Sequence, residues 1–179
     1  MIVLVTGTPG TGKTTVARAL ARRLGWEYVS MAELALREGL VEGYDERLRS
    51  HIVDVEGLRR KLRELSRRGR LVVDGHVPEA VPPEETEVAI VLRLDPRELR
   101  FRLEARGYPP EKIRGNVESE ILDVCLVEAI NHLGEGKVFE IDTTGKTVEE
   151  VVREAERVVL ERKGPRPGSV DWTHLAGLV

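Results

Sequence analysis

The sequence predicts an α/β domain built on a five-stranded parallel sheet with helices on both faces. Three observations point there. Short apolar runs alternate with longer helical patterns along the whole chain. Several of those runs are apolar at consecutive positions, which suits a strand covered on both faces rather than one half-exposed to water. The first run also leads straight into a glycine-rich turn and then an amphipathic helix, the strand-turn-helix order of a doubly wound sheet.

Taken in order, Ile2-Val3-Leu4-Val5, Tyr28-Val29, Leu71-Val72-Val73, Val88-Ala89-Ile90-Val91-Leu92 and Val138-Phe139-Glu140-Ile141 read as strands. Helical periodicity covers roughly 13–24, 31–40, 55–68, 96–106, 110–133 and 147–162. Asp95 and Pro96 suit the opening of the fourth of these helices. One unit over 1–163 is expected, and Gly164-Pro165-Arg166-Pro167-Gly168 breaks the last helix and starts a tail, 164–179, expected to be loosely held. The chain shows no internal repeat and no low-complexity tract.

Composition narrows the function classes. With 179 residues, 41% hydrophobic and 33% charged, the chain is long enough for one domain with a core. No run is long enough to cross a bilayer, and the apolar N-terminus enters a glycine turn rather than a cleavage site. A lone cysteine, Cys125, excludes an internal disulfide and a cysteine-built zinc cage. A reducing, cytoplasmic setting is expected. The net charge of −3 implies no global pull toward nucleic acid. Arginine outnumbers lysine and glutamine is absent, a bias that heat adaptation and a GC-rich genome explain equally well.

The strongest chemical signal is Gly7-Thr8-Pro9-Gly10-Thr11-Gly12-Lys13-Thr14. Glycines such as Gly10 and Gly12 let successive N–H groups turn inward onto phosphate oxygens. The helix that follows aims its positive dipole end at the same anion. Lys13 reaches the β- and γ-phosphates, the Thr14 hydroxyl suits Mg²⁺, and Thr15 completes the cradle. A chance glycine turn would lack the strand before and the helix after.

Two further groups fit a phosphate site. Asp74 ends an apolar strand, where a carboxylate would hold Mg²⁺ or its water shell beside Thr14; Asp-Gly is also a common turn. His76 would position a water or the phosphoryl group, or else make a plain hydrogen bond at a strand end. Arg102 and Arg106 share one helix face and would neutralise charge during transfer, the alternative being a solvated face paired with Glu98 and Glu104.

In this order the three groups resemble the P-loop nucleoside-monophosphate kinases. In detail they resemble the small adenylate kinases linked to maturation of the small ribosomal subunit. The carriers are the Gly-x-Pro-Gly-Thr-Gly-Lys cradle, the Asp-x-His signature at Asp74-Gly75-His76, Glu42 to Glu46 with Ser50 to Asp54, and Arg106-Gly107-Tyr108 with Lys112-Ile113 and Asn116 to Glu120. The resemblance covers about 1–162. It implies a P-loop NTPase fold with a small helical monophosphate-binding lobe at about 31–60 and a short lid at about 106–118. It implies Mg²⁺-dependent transfer from ATP to AMP with accompanying ATPase activity, and a small-subunit platform ribosomal protein as partner. Thr143, Thr144 and Lys146 fall where such kinases surround adenine. Arg37 departs by one position from the family's lobe arginine, leaving the AMP-contacting arginine open.

Two alternatives stand beside that reading. One is an ATPase that remodels a ribosomal precursor. The other, a kinase of a small metabolite such as a sugar or shikimate, is disfavoured by Gly43-Tyr44-Asp45 and Asp-x-His. Arg59, Arg60, Lys61, Arg63, Arg67, Arg68 and Arg70 form a basic stripe outside Leu58, Leu62 and Leu65. It is expected to be either a solvated face or a weak, salt-sensitive contact with rRNA or its proteins.

Overall fold

The computed structural model describes residues 1–179. Strands β1 (Ile2–Gly7), β2 (Glu27–Ser30), β5 (Leu71–Asp74), β6 (Thr86–Arg93) and β7 (Val138–Asp142) form one sheet in the order β2-β5-β1-β6-β7. All four neighbouring pairs are parallel. Strands β3 (Val41–Asp45) and β4 (Ser50–Val53) form a separate antiparallel hairpin.

The consecutive apolar residues are explained by burial on both faces. Ile2 and Leu4 of β1 pack into one core with Leu58 and Leu62 of α3 (Val55–Ser66) and with Leu126 and Ala129 of α6 (Val124–Leu133). Val3 and Val5 point the other way, into a core with Leu20 of α1 (Lys13–Leu24) and Val151 and Val158 of α7 (Val148–Glu161). A period of two that is apolar at both phases is what a sheet between helix layers requires.

Three helices lie near the C-terminal ends of the strands or lead from them. α2 (Met31–Arg37) follows β2 directly, capped by the Ser30 hydroxyl accepting from the Glu33 N–H. α4 (Pro96–Ala105) follows β6 and is capped by Asp95, whose carboxylate accepts from the Arg97 N–H. α5 (Pro110–Ile121) returns against α4, with Leu94, Leu99 and Leu103 as a small satellite core that Tyr108 and Ile113 complete.

Three features differ from the sequence expectation. The continuous helix over 110–133 is two helices, because Asp123 takes a left-handed backbone at φ 57° and sends its carboxylate to the buried Arg93. The lobe over 31–60 is not wholly helical: Val41 to Val53 alternates weakly and forms the β3–β4 hairpin. The tail is not loosely held. The Glu140 N–H donates to the Pro165 carbonyl at 3.0 Å, and Val170 is buried.

Candidate functional site

The glycine-rich turn between β1 and α1 has the shape of an anion cradle. Gly7, Gly10 and Gly12 all have positive φ. At Gly7 a Cβ would lie 2.6 Å from the Leu92 carbonyl oxygen, and at Gly10 it would lie 2.8 Å from a Leu99 methyl. Glycine is needed there because sheet and α4 press against the loop. At Gly12 a Cβ would meet nothing within 4 Å, which marks the open side. The loop is tied internally: Thr11 donates its hydroxyl to the Thr8 carbonyl at 2.8 Å, and the Lys13 ammonium donates to the same carbonyl at 3.3 Å. Desolvation in the cleft lowers the Lys13 pKa, Asp74 and Cys125 oppose that fall, and Arg106 adds to it.

Asp74 ends β5, next to β1 in the sheet, and is 5% exposed. Its Oδ2 accepts from the Thr14 hydroxyl at 2.7 Å and from the Tyr28 hydroxyl at 2.8 Å. Its Oδ1 accepts no hydrogen bond. A carboxylate oxygen without a donor, beside a threonine hydroxyl at the start of α1, fits a Mg²⁺ ion that takes most of its ligands from water and phosphate. No group of three or more His, Cys, Asp or Glu converges elsewhere to hold a metal. Tyr28 went unseen in the sequence because one tyrosine on a short strand carries no spacing signal. Burial and then the bond to Asp74 push its pKa up to about 12, so the phenol stays a donor at neutral pH.

Gly75 follows because α2 crosses close by: a Cβ there would lie 2.1 Å from the Met31 sulfur. His76 opens onto the cleft beyond it. Desolvation by the cleft walls, then Lys13 and Lys112, hold its pKa down to about 4, against the pull of Asp74. The imidazole is therefore neutral near pH 7 and able to accept or donate one hydrogen bond.

Arg102 and Arg106 lie at the C-terminal end of α4. Arg102 donates weakly to the Gly10 carbonyl at 3.4 Å and pairs with Glu98. Arg102 thus has one contact toward the cradle and one along its own helix. Arg106 is exposed. Lys146 lies further round the sheet edge, paired with Glu154 at 2.7 Å, beside a cleft of about 350 Å³ lined in part by Asp142, Asp171 and Trp172. Thr143 and Thr144 are occupied structurally: the Thr143 hydroxyl donates to the Arg93 carbonyl, and the Thr144 hydroxyl accepts from the Asp95 N–H. Arg37 is exposed and faces Glu38 rather than the cradle. Cys125 is buried, and burial pushes its thiol up to about 11, which leaves it unreactive.

The basic stripe on α3 is largely neutralised within the chain. Arg59 pairs with Glu56 and Lys61 with Glu38 and Glu64, while Arg63 pairs with Glu84 and Arg68 with Glu64. Arg60 and Arg67 are exposed without an ion pair.

A family model described as an AAA domain matches residues 3–123. A protein described as "Putative adenylate kinase" from Thermococcus onnurineus (strain NA1) is 45% identical over 97% of this chain and 92% of its own length. Another of that description, from Methanocaldococcus jannaschii, is 40% identical over 97% of this chain and 93% of its own. Among solved structures, a shikimate kinase from Acinetobacter baumannii superposes with a TM-score of 0.59 at 20% identity, covering 90% of this chain and 94% of that one. A gluconokinase from Sinorhizobium meliloti 1021 gives 0.54 at 20% identity over 86% and 87%. At that identity the two structures speak for the fold alone. The cradle and Lys13 lie inside the matched span, and the chain belongs to the adenylate-kinase-like P-loop kinases of archaea.

Proposed function

We propose that the protein transfers the γ-phosphoryl group of ATP to AMP, giving two ADP, with Mg²⁺ as cofactor. The observation that carries this reading is the convergence of Lys13, Thr14 and Asp74 at one end of the sheet, with the β3–β4 hairpin inserted between α2 and α3 in the chain. The relatives' description supports adenylate as the acceptor.

Phosphoryl transfer asks the protein for positioning and charge, not covalent chemistry. The bond between the γ-phosphorus and its bridging oxygen breaks as an oxygen of the AMP phosphate bonds to that phosphorus. Gly7 to Thr14 would hold the donor phosphates by backbone N–H groups, with Thr15 next in α1, and Lys13 would follow the charge that shifts onto the transferring group. Thr14 and Asp74 would hold Mg²⁺ or its waters, and the ion would supply charge neutralisation to the phosphates. Tyr28 fixes the Asp74 rotamer. Arg102 and Arg106 would close onto the developing charge from α4, and Lys146 would border the base. Neutral His76 would orient a water or a phosphate oxygen. The units doing this are a kinase domain over 1–163, an acceptor lobe at about 31–60 and a lid at about 106–118. With no acceptor bound, water reaching the γ-phosphorus would give ATPase activity from the same site.

A coupled assay across AMP, UMP, shikimate, gluconate and no acceptor tests the reading. AMP is expected to be turned over fastest. A preference for a non-nucleotide acceptor would overturn it.

A role on small-subunit ribosomal precursors, in the cytoplasm, rests on the resemblance. Of the stripe, Arg60, Arg67 and Arg70 have no ion pair and Arg70 lies over the Trp26 ring, which leaves Arg60 and Arg67 for such a contact, so any direct rRNA binding would be weak and salt-sensitive. Reversing both charges should lower affinity for a small-subunit precursor while AMP phosphorylation stays within about two-fold. Undiminished binding would place the platform-protein contact elsewhere.

A further inference from the structure

A buried polar junction joins the phosphate loop to the C-terminal tail, and Glu120 is its hub. Glu120 lies near the end of α5 and is 2% exposed. Its Oε2 accepts from the Thr8 hydroxyl of the phosphate loop at 2.7 Å. Its Oε1 accepts from Arg93 Nε at 2.9 Å, from the Leu94 N–H at 3.1 Å and from the indole N–H of Trp172 at 3.2 Å. Arg93 is itself 1% exposed and also pairs with Glu140 and Asp123. Three carboxylates therefore surround one guanidinium.

The surplus negative charge is met by neutral donors, and the tail supplies most of them. Glu140 is fully buried, and its Oε2 accepts from the Gly168 N–H at 2.9 Å and from both the N–H and the hydroxyl of Ser169 at 3.2 Å. Buried carboxylates that lose such donors are left strongly destabilised. The tail is thus held by charge satisfaction more than by apolar area, since Val170 is its single buried hydrophobic residue. It also reaches the lid side, where Arg100 of α4 donates to the Leu178 carbonyl.

We propose that Glu120 is a positioning residue for the phosphate loop, and that the docked tail sets its position through Trp172. This deepens the donor-site reading and rests on it. The route is short. Trp172 and Arg93 fix one oxygen of Glu120, and the other oxygen fixes Thr8. The Thr8 carbonyl in turn orients Thr11 and the Lys13 ammonium. Because coupling between two binding events is reciprocal, a donor nucleotide that engages the loop must alter the surroundings of Trp172, and loosening the tail must weaken donor binding. The acceptor lobe has no part in this route, so AMP is indifferent to it.

The test uses the full chain with Trp26→Phe, leaving Trp172 as the only indole. ATP is expected to change the emission of Trp172, and AMP alone is not. Glu120→Gln should raise both the Kd and the KM for ATP about ten-fold, with the KM for AMP held within about two-fold. Phe at 172 keeps most of the ring and removes the donor, so Trp172→Phe should raise the ATP Kd about three-fold. Thr8→Val and Glu120→Gln together should be no worse than the more damaging single change, because both cut one link. If Glu120→Gln fails to fold, Trp172→Phe decides. An unchanged ATP Kd in Trp172→Phe, or equal losses toward ATP and AMP, would overturn the proposal. The ATP Kd of every variant is read by titration calorimetry, which needs neither turnover nor an indole, so a protein that binds ATP but leaves AMP untouched would refute the kinase reading and still test the coupling.

Discussion

The phosphate cradle and the β3–β4 hairpin are built on opposite principles. The cradle is over-determined: β1 and β5 are fully buried beneath it, two glycines are forced by neighbouring backbone and side chains, and Thr8, Thr11, Lys13, Thr14 and Asp74 are tied to one another. The β3–β4 hairpin has no fully buried residue, its Tyr44 and Ile52 side chains are exposed, and its two strands pair only with each other. It meets α5 through one exposed ion pair, Arg47 to Glu111. A rigid half suits the group that must hold a triphosphate in register, and a lightly held half suits one that must open to admit an acceptor. If this contrast is right, substitutions in the cradle will cost rate and little stability, whereas those in the hairpin will change acceptor binding.

The largest expected effect is at Lys13. Lys13→Ala should cut phosphotransfer by on the order of 10²–10³. Because burial already lowers the lysine's pKa, its removal should leave the melting temperature unchanged or raised. Thermal unfolding and initial rates on the same preparation check this, and a large loss of stability would mean that Lys13 holds the loop together rather than serving it.

The next effect separates Asp74 from its supporter. Asp74→Asn should reduce Mg²⁺-dependent turnover about a hundred-fold with nucleotide affinity nearly kept. Tyr28→Phe removes one of two donors to the same oxygen and should cost about ten-fold or less. It should also raise the Mg²⁺ concentration needed for half-maximal rate. Titration of Mg²⁺ in each variant is the measurement. If Tyr28→Phe shifts stability alone, the tyrosine only packs there.

On the soft side of the contrast, Arg47→Ala should raise the KM for AMP by about two- to five-fold with little change in the KM for ATP. The Arg47–Glu111 pair is solvent-exposed, so its effect should shrink as salt rises. A response of the ATP side instead would mean that the hairpin is not the acceptor lobe.

The same contrast explains what the sequence made legible. Strands buried on both faces must be apolar at every position, so β1, β5 and β6 could be read from residue type alone. Glycines at Gly7, Gly10 and Gly12 announce a backbone shape. The hairpin buries little, so its pattern from Val41 to Val53 is faint, and the break at Asp123 hides because a left-handed aspartate looks like any polar helix residue. Glu120, Arg93 and Glu140 are invisible for a different reason. Each sits on a different element, and a charged residue in a single sequence is read as surface. The tail looked loose for the same reason: its partners are carboxylates buried elsewhere in the chain.

The smallest effect is at His76, which follows Asp74 on the cradle side. Its pKa in the folded protein is about 4, against 6.5 for an ordinary histidine. A base whose folded pKa is depressed binds fewer protons when folded, so its contribution to stability is fully present above about pH 6.5 and is lost as pH falls through about 4. The side chain is open to solvent, so the loss should be small. His76→Gln should flatten the stability profile between those limits without altering it above pH 7. In the wild-type enzyme, the rate should show no inflection near pH 6.5 from this group, because the imidazole is already neutral there. An inflection near pH 6.5 that disappears in His76→Gln would show that the site neither desolvates His76 nor holds Lys13 and Lys112 against it.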